Sequence, residues 1–217
     1  MAGRPDEMLV AFDFDGALAE SDPYRRLAEQ HGTDGEVAGV LDRMASGDLA
    51  FETGLRSVAD HLEGLPDAEV ETALDHLRPR PAAVDLLAAL HRNDHHVAIV
   101  TDAPERAVEA CLAPDAFDAD TVVANRLPVE NGALTGDIEG PPVGHGKDDP
   151  LERLVVEQGR DWDEVVAVGD TRRDLPMLQA AGFGVGLDPT PVVDSNCDRA
   201  VPTMDRLEQV FAERNLC

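Results

Sequence analysis

The chain has 217 residues and 23.3 kDa, with 44 Asp+Glu against 18 Lys+Arg and a formal charge of −26. That length suits one core domain with an insertion, large enough to bury about 70% of its unfolded surface without a disulfide or metal staple. So acidic a surface argues against nucleic acid and anionic membrane as partners, since phosphate binding relies on basic side chains.

The polar start, Met1 to Glu7, has no apolar stretch of the signal-peptide kind, and nowhere do 18 apolar residues run together. Cys111, Cys197 and Cys217 form no paired motif, which with the rest predicts a reduced, cytoplasmic setting. The acidic residues are spread along the chain, and 17 of the 18 basic residues are Arg. This skew points to adaptation to molar salt, where the Debye length falls to roughly 3 Å and self-repulsion is screened. The sole lysine, Lys147, stands out as a residue kept for its compact ammonium charge.

In chain order, Met8–Phe12 is a short apolar run that reads as a buried strand ending at Asp13. Four helical segments follow, Tyr24–His31, Val37–Met44, Phe51–Leu62 and Glu69–Leu77, with breaks at Gly32, Gly47 and Gly64-Leu65-Pro66. Pro79-Arg80-Pro81 marks a boundary. Beyond it Ala82–Arg92 reads as a helix, Val97–Val100 as a strand, Glu105–Leu112 as a helix and Thr121–Ala124 as a strand. Asn131-Gly132 favours a tight hairpin between Leu127–Val129 and Ala133–Ile138. Leu151–Gln158 is helical, Val165–Val168 a strand, Leu175–Ala181 helical, Gly184–Leu187 a strand, and Met204–Arg214 a last helix. His95 and His96 read as exposed turn residues rather than ligands.

Strands alternating with helices predict an α/β fold with a parallel sheet covered on both faces. The helical block after the first strand interrupts that alternation as an inserted cap would. The expected division is a core of residues 1–21 and 79–217 with a helical cap of residues 22–78.

Ligands in such sheets bind outside the carboxyl ends of the strands. Those ends carry Asp13-Phe14-Asp15-Gly16, Thr101-Asp102 and Asp170-Thr171-Arg172-Arg173-Asp174, while Lys147 precedes the helix leading into the third. The Asp-x-Asp pair is weak evidence alone, because 27 Asp give roughly three such pairs by chance. Asp118/Asp120 and Asp161/Asp163 also match, but only Asp13/Asp15 ends an apolar strand. Together the segments make chemical sense. Carboxylates at Asp13 and Asp170 suit Mg²⁺, a hard ion that takes oxygen ligands. Thr101 and Lys147 offer a hydroxyl and a charge to a phosphoryl group, and a carboxylate nucleophile could divide hydrolysis into two displacements.

With these four segments in order, the chain resembles the haloacid dehalogenase superfamily, in its phosphoserine-phosphatase-like branch, from Met8 onward. Further likeness lies in Gly47–Glu52, Ala124–Leu127, Asn131–Gly136 and Val166–Asp170. The resemblance implies a Rossmann-like three-layer α/β/α core and Mg²⁺-dependent hydrolysis of a small phosphorylated metabolite, with O-phosphoserine, and so serine biosynthesis, as the first expectation. Asp13 would be the phosphorylated nucleophile and Asp15 the acid and base, its pKa raised by neighbouring charge. Asp13, Asp170 and the backbone carbonyl of Asp15 would hold the metal. Asp174 would bind or orient the metal shell, or pin Lys147, and Thr101 and Lys147 would hold the phosphoryl group.

Four departures from the branch bear on substrate choice. Ala17 stands where Thr is usual, and Asp102 puts a carboxylate where the branch has a small residue. Arg173 replaces a common Asn and adds a cation. In the cap, Phe51 is present, but the Arg expected seven residues later is Val58; Arg56 lies two positions short, roughly 200° of helix rotation away, so it is no simple substitute. Asp22 sits near a usual cap-facing Glu. Asp22, Phe51, Arg56 and Arg173 are therefore the candidate substrate contacts. Asp102 has two readings, beside the anionic ligand or turned out to solvent. Two other function classes stay open: a phospho-acceptor signalling module, and a weakly catalytic binder of a phosphorylated ligand.

Overall fold

Six parallel strands form the sheet at the centre of the computed structural model, which describes residues 7–112, 119–141 and 146–217. Their order is β3(Thr121–Asn125)-β2(His96–Pro104)-β1(Leu9–Phe12)-β6(Val165–Gly169)-β7(Phe183–Leu187)-β8(Arg199–Val201). A separate two-stranded ribbon pairs β4(Val129–Glu130) with β5(Ala133–Leu134). Its turn is Asn131-Gly132, both at positive φ (53° and 81°), as a two-residue hairpin of right-handed twist requires. Of the residues in the repeated Asp-x-Asp matches, Asp118 lies outside the described residues.

The short apolar runs become strands because helices cover both faces, so in the central strands β1 and β6 every side chain is buried regardless of which way it alternates. Val10, Phe12, Val97, Ile99, Val166 and Val168 face one cluster, with α5(Ala83–Arg92), α6(Glu105–Leu112) and α10(Met204–Glu213) against it. Leu9, Ala11, Ala98, Val100, Val165 and Ala167 face the other, packed by α7(Asp148–Gln158), α8(Leu175–Ala180) and Val193 of α9(Pro191–Asp194). This is the α/β/α sandwich expected from the sequence. Short α9 and the three-residue edge strand β8 carry too few apolar residues to have shown a period. Histidine 95, expected in an exposed turn, is instead buried, its Nδ1 accepting from the Met8 N–H, because β2 begins one residue later at His96.

Between β1 and α5 the chain forms four helices: α1(Pro23–His31), α2(Asp34–Ser46), α3(Phe51–Asp60) and α4(Asp67–Leu74). Asp22 caps α1, accepting from the N–H groups of Tyr24 and Arg25, with Pro23 at the first position, and Gly32 and Gly47 end the first two helices. The chain leaves and re-enters the core through neighbouring segments: the Glu20 N–H donates to the Arg78 carbonyl and the Arg80 N–H to the Leu18 carbonyl. Apolar faces of α1, α3 and α4 (Leu27, Leu55, Val58, Val70, Leu74) join the larger core cluster. No helix among the described residues is long and apolar enough to cross a membrane.

Candidate active site

The strand order reverses beside β1, which lies between β2 and β6 with Phe12 level with Ile99 and Val168. A crevice therefore opens at the carboxyl end of β1, the place where such sheets take ligands. Asp13 is the first residue past that strand, held by its own N–H to the Val168 carbonyl (2.8 Å). Strand β2 runs beyond the expected Val100 to Pro104, through a register irregularity against β3, and carries Thr101 and Asp102 to the same end. Asp170 follows β6, and Lys147 immediately precedes α7.

The sole lysine is the hub. Lys147 is only 2% exposed, and its Nζ lies 2.6 Å from Asp13 Oδ1, 2.6 Å from Asp174 Oδ1 and 3.9 Å from Asp102 Oδ2. Burial alone would lower its pKa; the carboxylates of Asp13, Asp174 and Asp102 outweigh that and raise it, so it stays charged. Asp13 Oδ1 also accepts from the Phe14 N–H at 2.7 Å, which fixes the carboxylate plane. Asp174 is fully buried, its Oδ2 accepting from the N–H groups of Asp170 and Thr171 and from the Thr171 hydroxyl. With Oδ2 taken up so, Asp174 folds the loop after β6 and pins Lys147 through Oδ1.

Carboxylates this crowded resist ionisation. Burial lifts Asp13 to about 7, with Asp174 adding repulsion and Lys147 opposing it. Asp15 rises to about 8 through burial and then the charges of Asp22 and Asp13, and Asp170 to about 8 through burial and then Asp13 and Asp174. Oxygen atoms of Asp13, Asp170 and Asp174 lie within 4.8 Å of one another. The Asp170 Oδ1 is buried with no hydrogen-bond partner, a costly state that a hard cation would relieve. The donor set therefore fits a divalent metal bound by oxygen. Gly16 makes room for it: its φ is +78°, and a Cβ there would collide with Asp170 Oδ2.

Thr101 is fully buried and its hydroxyl accepts from the Ala103 N–H at 3.1 Å, keeping its own hydrogen to donate. Asp102 is turned inward rather than to solvent, with its side chain 16% exposed. Arg173 grips it with two bonds, Nε to Oδ2 at 3.1 Å and Nη2 to Oδ1 at 3.0 Å. The same guanidinium lies 3.6 Å above the ring of Phe51, the first residue of α3. The Asp102 carbonyl accepts from the Tyr24 hydroxyl (2.9 Å) and Asn125 Nδ2 (2.6 Å). Tyr24 and Asn125 had no sequence signal beyond their neighbourhood. The link between Asp102 and Arg173 had one: two added charges of opposite sign in segments that face each other.

Arg56 is a correction. It is 55% exposed and bound to Glu52 one turn earlier, on the solvent face of α3, while Val58 is buried. Two residues are about 200° of helix rotation, so the face that buries Val58 turns Arg56 away. Asp22 sits at the start of α1, close enough to raise Asp15.

A model of the haloacid dehalogenase-like hydrolases matches residues 10–179. Among curated relatives, a phosphoserine phosphatase of Halobacterium salinarum is 40% identical over 96% of this chain and 99% of its own. One from Methanocaldococcus jannaschii is 30% identical over 92% and 94%. Among solved structures, a substrate-bound phosphoserine phosphatase complex superposes with a TM-score of 0.86 at 28% identity, covering 95% of this chain and 98% of the other. A phospho-aspartyl intermediate analogue of phosphoserine phosphatase gives 0.84 at 27% identity, covering 94% and 98%. With that agreement over nearly its whole length, the chain belongs to the haloacid dehalogenase-like hydrolases, in their phosphoserine-phosphatase-like branch.

Proposed function

We propose that this protein is a Mg²⁺-dependent phosphomonoesterase that hydrolyses O-phosphoserine through an aspartyl-phosphate on Asp13. The observation that carries this is the setting of Asp13: Oδ1 is held by Lys147 and the Phe14 N–H, which leaves Oδ2 as the oxygen to attack phosphorus. Asp15, its pKa near 8, is protonated at neutral pH, donates to the leaving serine oxygen, and then takes a proton from the water that attacks phosphorus of the aspartyl-phosphate and frees the Asp13 carboxylate. Lys147 and the Thr101 hydroxyl hold the phosphoryl oxygens. Asp13, Asp170 and the carbonyl of Asp15 would hold Mg²⁺, with Asp174 behind them, and the ion supplies positive charge against the phosphoryl group when bound. Residues 22–78 serve as the cap over residues 1–21 and 79–217. The relatives named above support phosphoserine as substrate, and the halophilic source of one supports a salt-adapted enzyme. Three free cysteines fit a cytoplasmic setting.

The test is phosphate release from O-phosphoserine in molar KCl with Mg²⁺, compared with glycerol phosphate and p-nitrophenyl phosphate. Asp13→Asn abolishes turnover while the protein still melts cooperatively. Turnover retained in that variant would assign the nucleophile elsewhere, and a preference for glycerol phosphate would replace the substrate.

A further inference from the structure

Asp102 takes no part in the chemistry just described, yet its carboxylate stands inside the site. It lies between the two cations there, gripped by Arg173 through two hydrogen bonds and 3.9 Å from Lys147 Nζ. Its charge is felt at Asp13, where it adds to the repulsion. A planar anion held by a guanidinium fork beside an ammonium is how a phosphate group would be held as well.

The surroundings let this anion be exchanged without moving the backbone. The Asp102 carbonyl is anchored from two sides by Tyr24 and Asn125, so the carboxylate can move only by side-chain rotation. Arg173 keeps its place against the Phe51 ring when the Asp102 carboxylate leaves, since stacking on an aromatic face does not depend on that carboxylate. A phosphate dianion offers more charge and more acceptor oxygens than a carboxylate, and so wins the contest for both cations.

We propose that the Asp102 carboxylate is the resident occupant of the phosphoryl seat, and that Arg173 is a second phosphoryl-binding cation which substrate gains by displacing it. The inference deepens the phosphatase reading and rests on it. It also gives the pair a purpose in strong salt. Without the Asp102 carboxylate, the partly exposed Arg173 guanidinium beside the buried Lys147 would draw in chloride at molar concentration. A tethered carboxylate keeps a monovalent halide out and yields to a dianion.

The experiment is calorimetric titration of inorganic phosphate into the Mg²⁺-loaded protein in molar KCl, for the wild type, Asp102→Asn and Arg173→Gln. Asn keeps the shape and can still accept from Arg173 without the charge; Asp102→Ser serves as a second neutral variant if Asn folds poorly. Phosphate binds at least tenfold tighter to Asp102→Asn and at least tenfold weaker to Arg173→Gln. Exchanging KCl for potassium glutamate at equal ionic strength tightens phosphate binding to Asp102→Asn, not to the wild type. Unchanged or weaker binding by both neutral variants would overturn the resident role and leave Asp102 as an anchor for Arg173. Wild-type affinity in Arg173→Gln would remove Arg173 from the seat. Phosphate affinity is read without turnover, so a wild type that binds phosphate but hydrolyses no ester would refute the phosphatase reading and not this one.

Discussion

The carboxylate of Asp170 fills the space that a Cβ on Gly16 would need. One residue's lack of a side chain is thus a condition for another's position at the candidate metal cluster. Gly16→Ala introduces both that collision and the strain of a left-handed conformation, about 1–2 kcal/mol. The expected result is a loss of Mg²⁺ affinity of at least tenfold by calorimetry, with turnover falling in parallel. Unaltered metal affinity would show that Asp170 is not a ligand.

Three carboxyl groups with raised pKa make metal-free stability depend on pH in a definite direction. Asp13 at about 7 and Asp15 and Asp170 at about 8 stand above the roughly 3.9 of an unfolded Asp. The folded state therefore binds more protons between pH 4 and 8, and its stability falls as pH rises through that window. Melting temperature in EDTA should drop steadily from pH 5 to pH 8. Added Mg²⁺ should raise it strongly at pH 8 and little at pH 5, where protons occupy the same oxygens. A metal-free protein more stable at pH 8 than at pH 5 would contradict this.

Lys147→Met removes the buried ammonium that Asp13 and Asp174 share. Breaking a buried ion pair in this way costs about 3–5 kcal/mol. The loss should be near that size by urea unfolding at pH 8 and smaller at pH 5, where Asp13 is protonated and has no charge left to strand. An equal loss at both values would mean that packing, not charge, is what Lys147 supplies.

A formal charge of −26 repels itself most in dilute buffer. Raising KCl from 50 mM to molar levels should lift the melting temperature by about 5–10 °C, or ~2–3 kcal/mol at this chain length. A melting curve indifferent to KCl would remove the case for salt adaptation.

Much of the fold was legible because it rests on local pattern. Apolar runs of four or five residues, the Gly stops after α1 and α2, and the Asn131-Gly132 turn each announce an element within a few residues of itself. Asp13 and Lys147 were legible for different reasons, the one ending a buried strand and the other being alone of its kind. The grip of Arg173 on Asp102 spans 71 positions of sequence. No periodicity reaches that far, and the structure alone decides whether such a carboxylate turns in or out. The outward turn of Arg56, by contrast, was legible: two residues of helix phase separate it from the expected position, and phase determines which way a side chain faces.

The paired segments Leu18–Glu20 and Arg78–Arg80 bring the two ends of the four-helix block together a few residues beyond Asp13. Strand β1 and its partner β2 are far apart along the chain, and bringing them together has an entropic cost that grows with the length of the intervening loop. If the helices assemble first, that long tether contracts to the gap between two hydrogen-bonded neighbours. A short turn joining residue 20 to residue 78 would bypass the block without breaking one rung of the central ladder, but it would strip away the apolar faces that the block adds to the core.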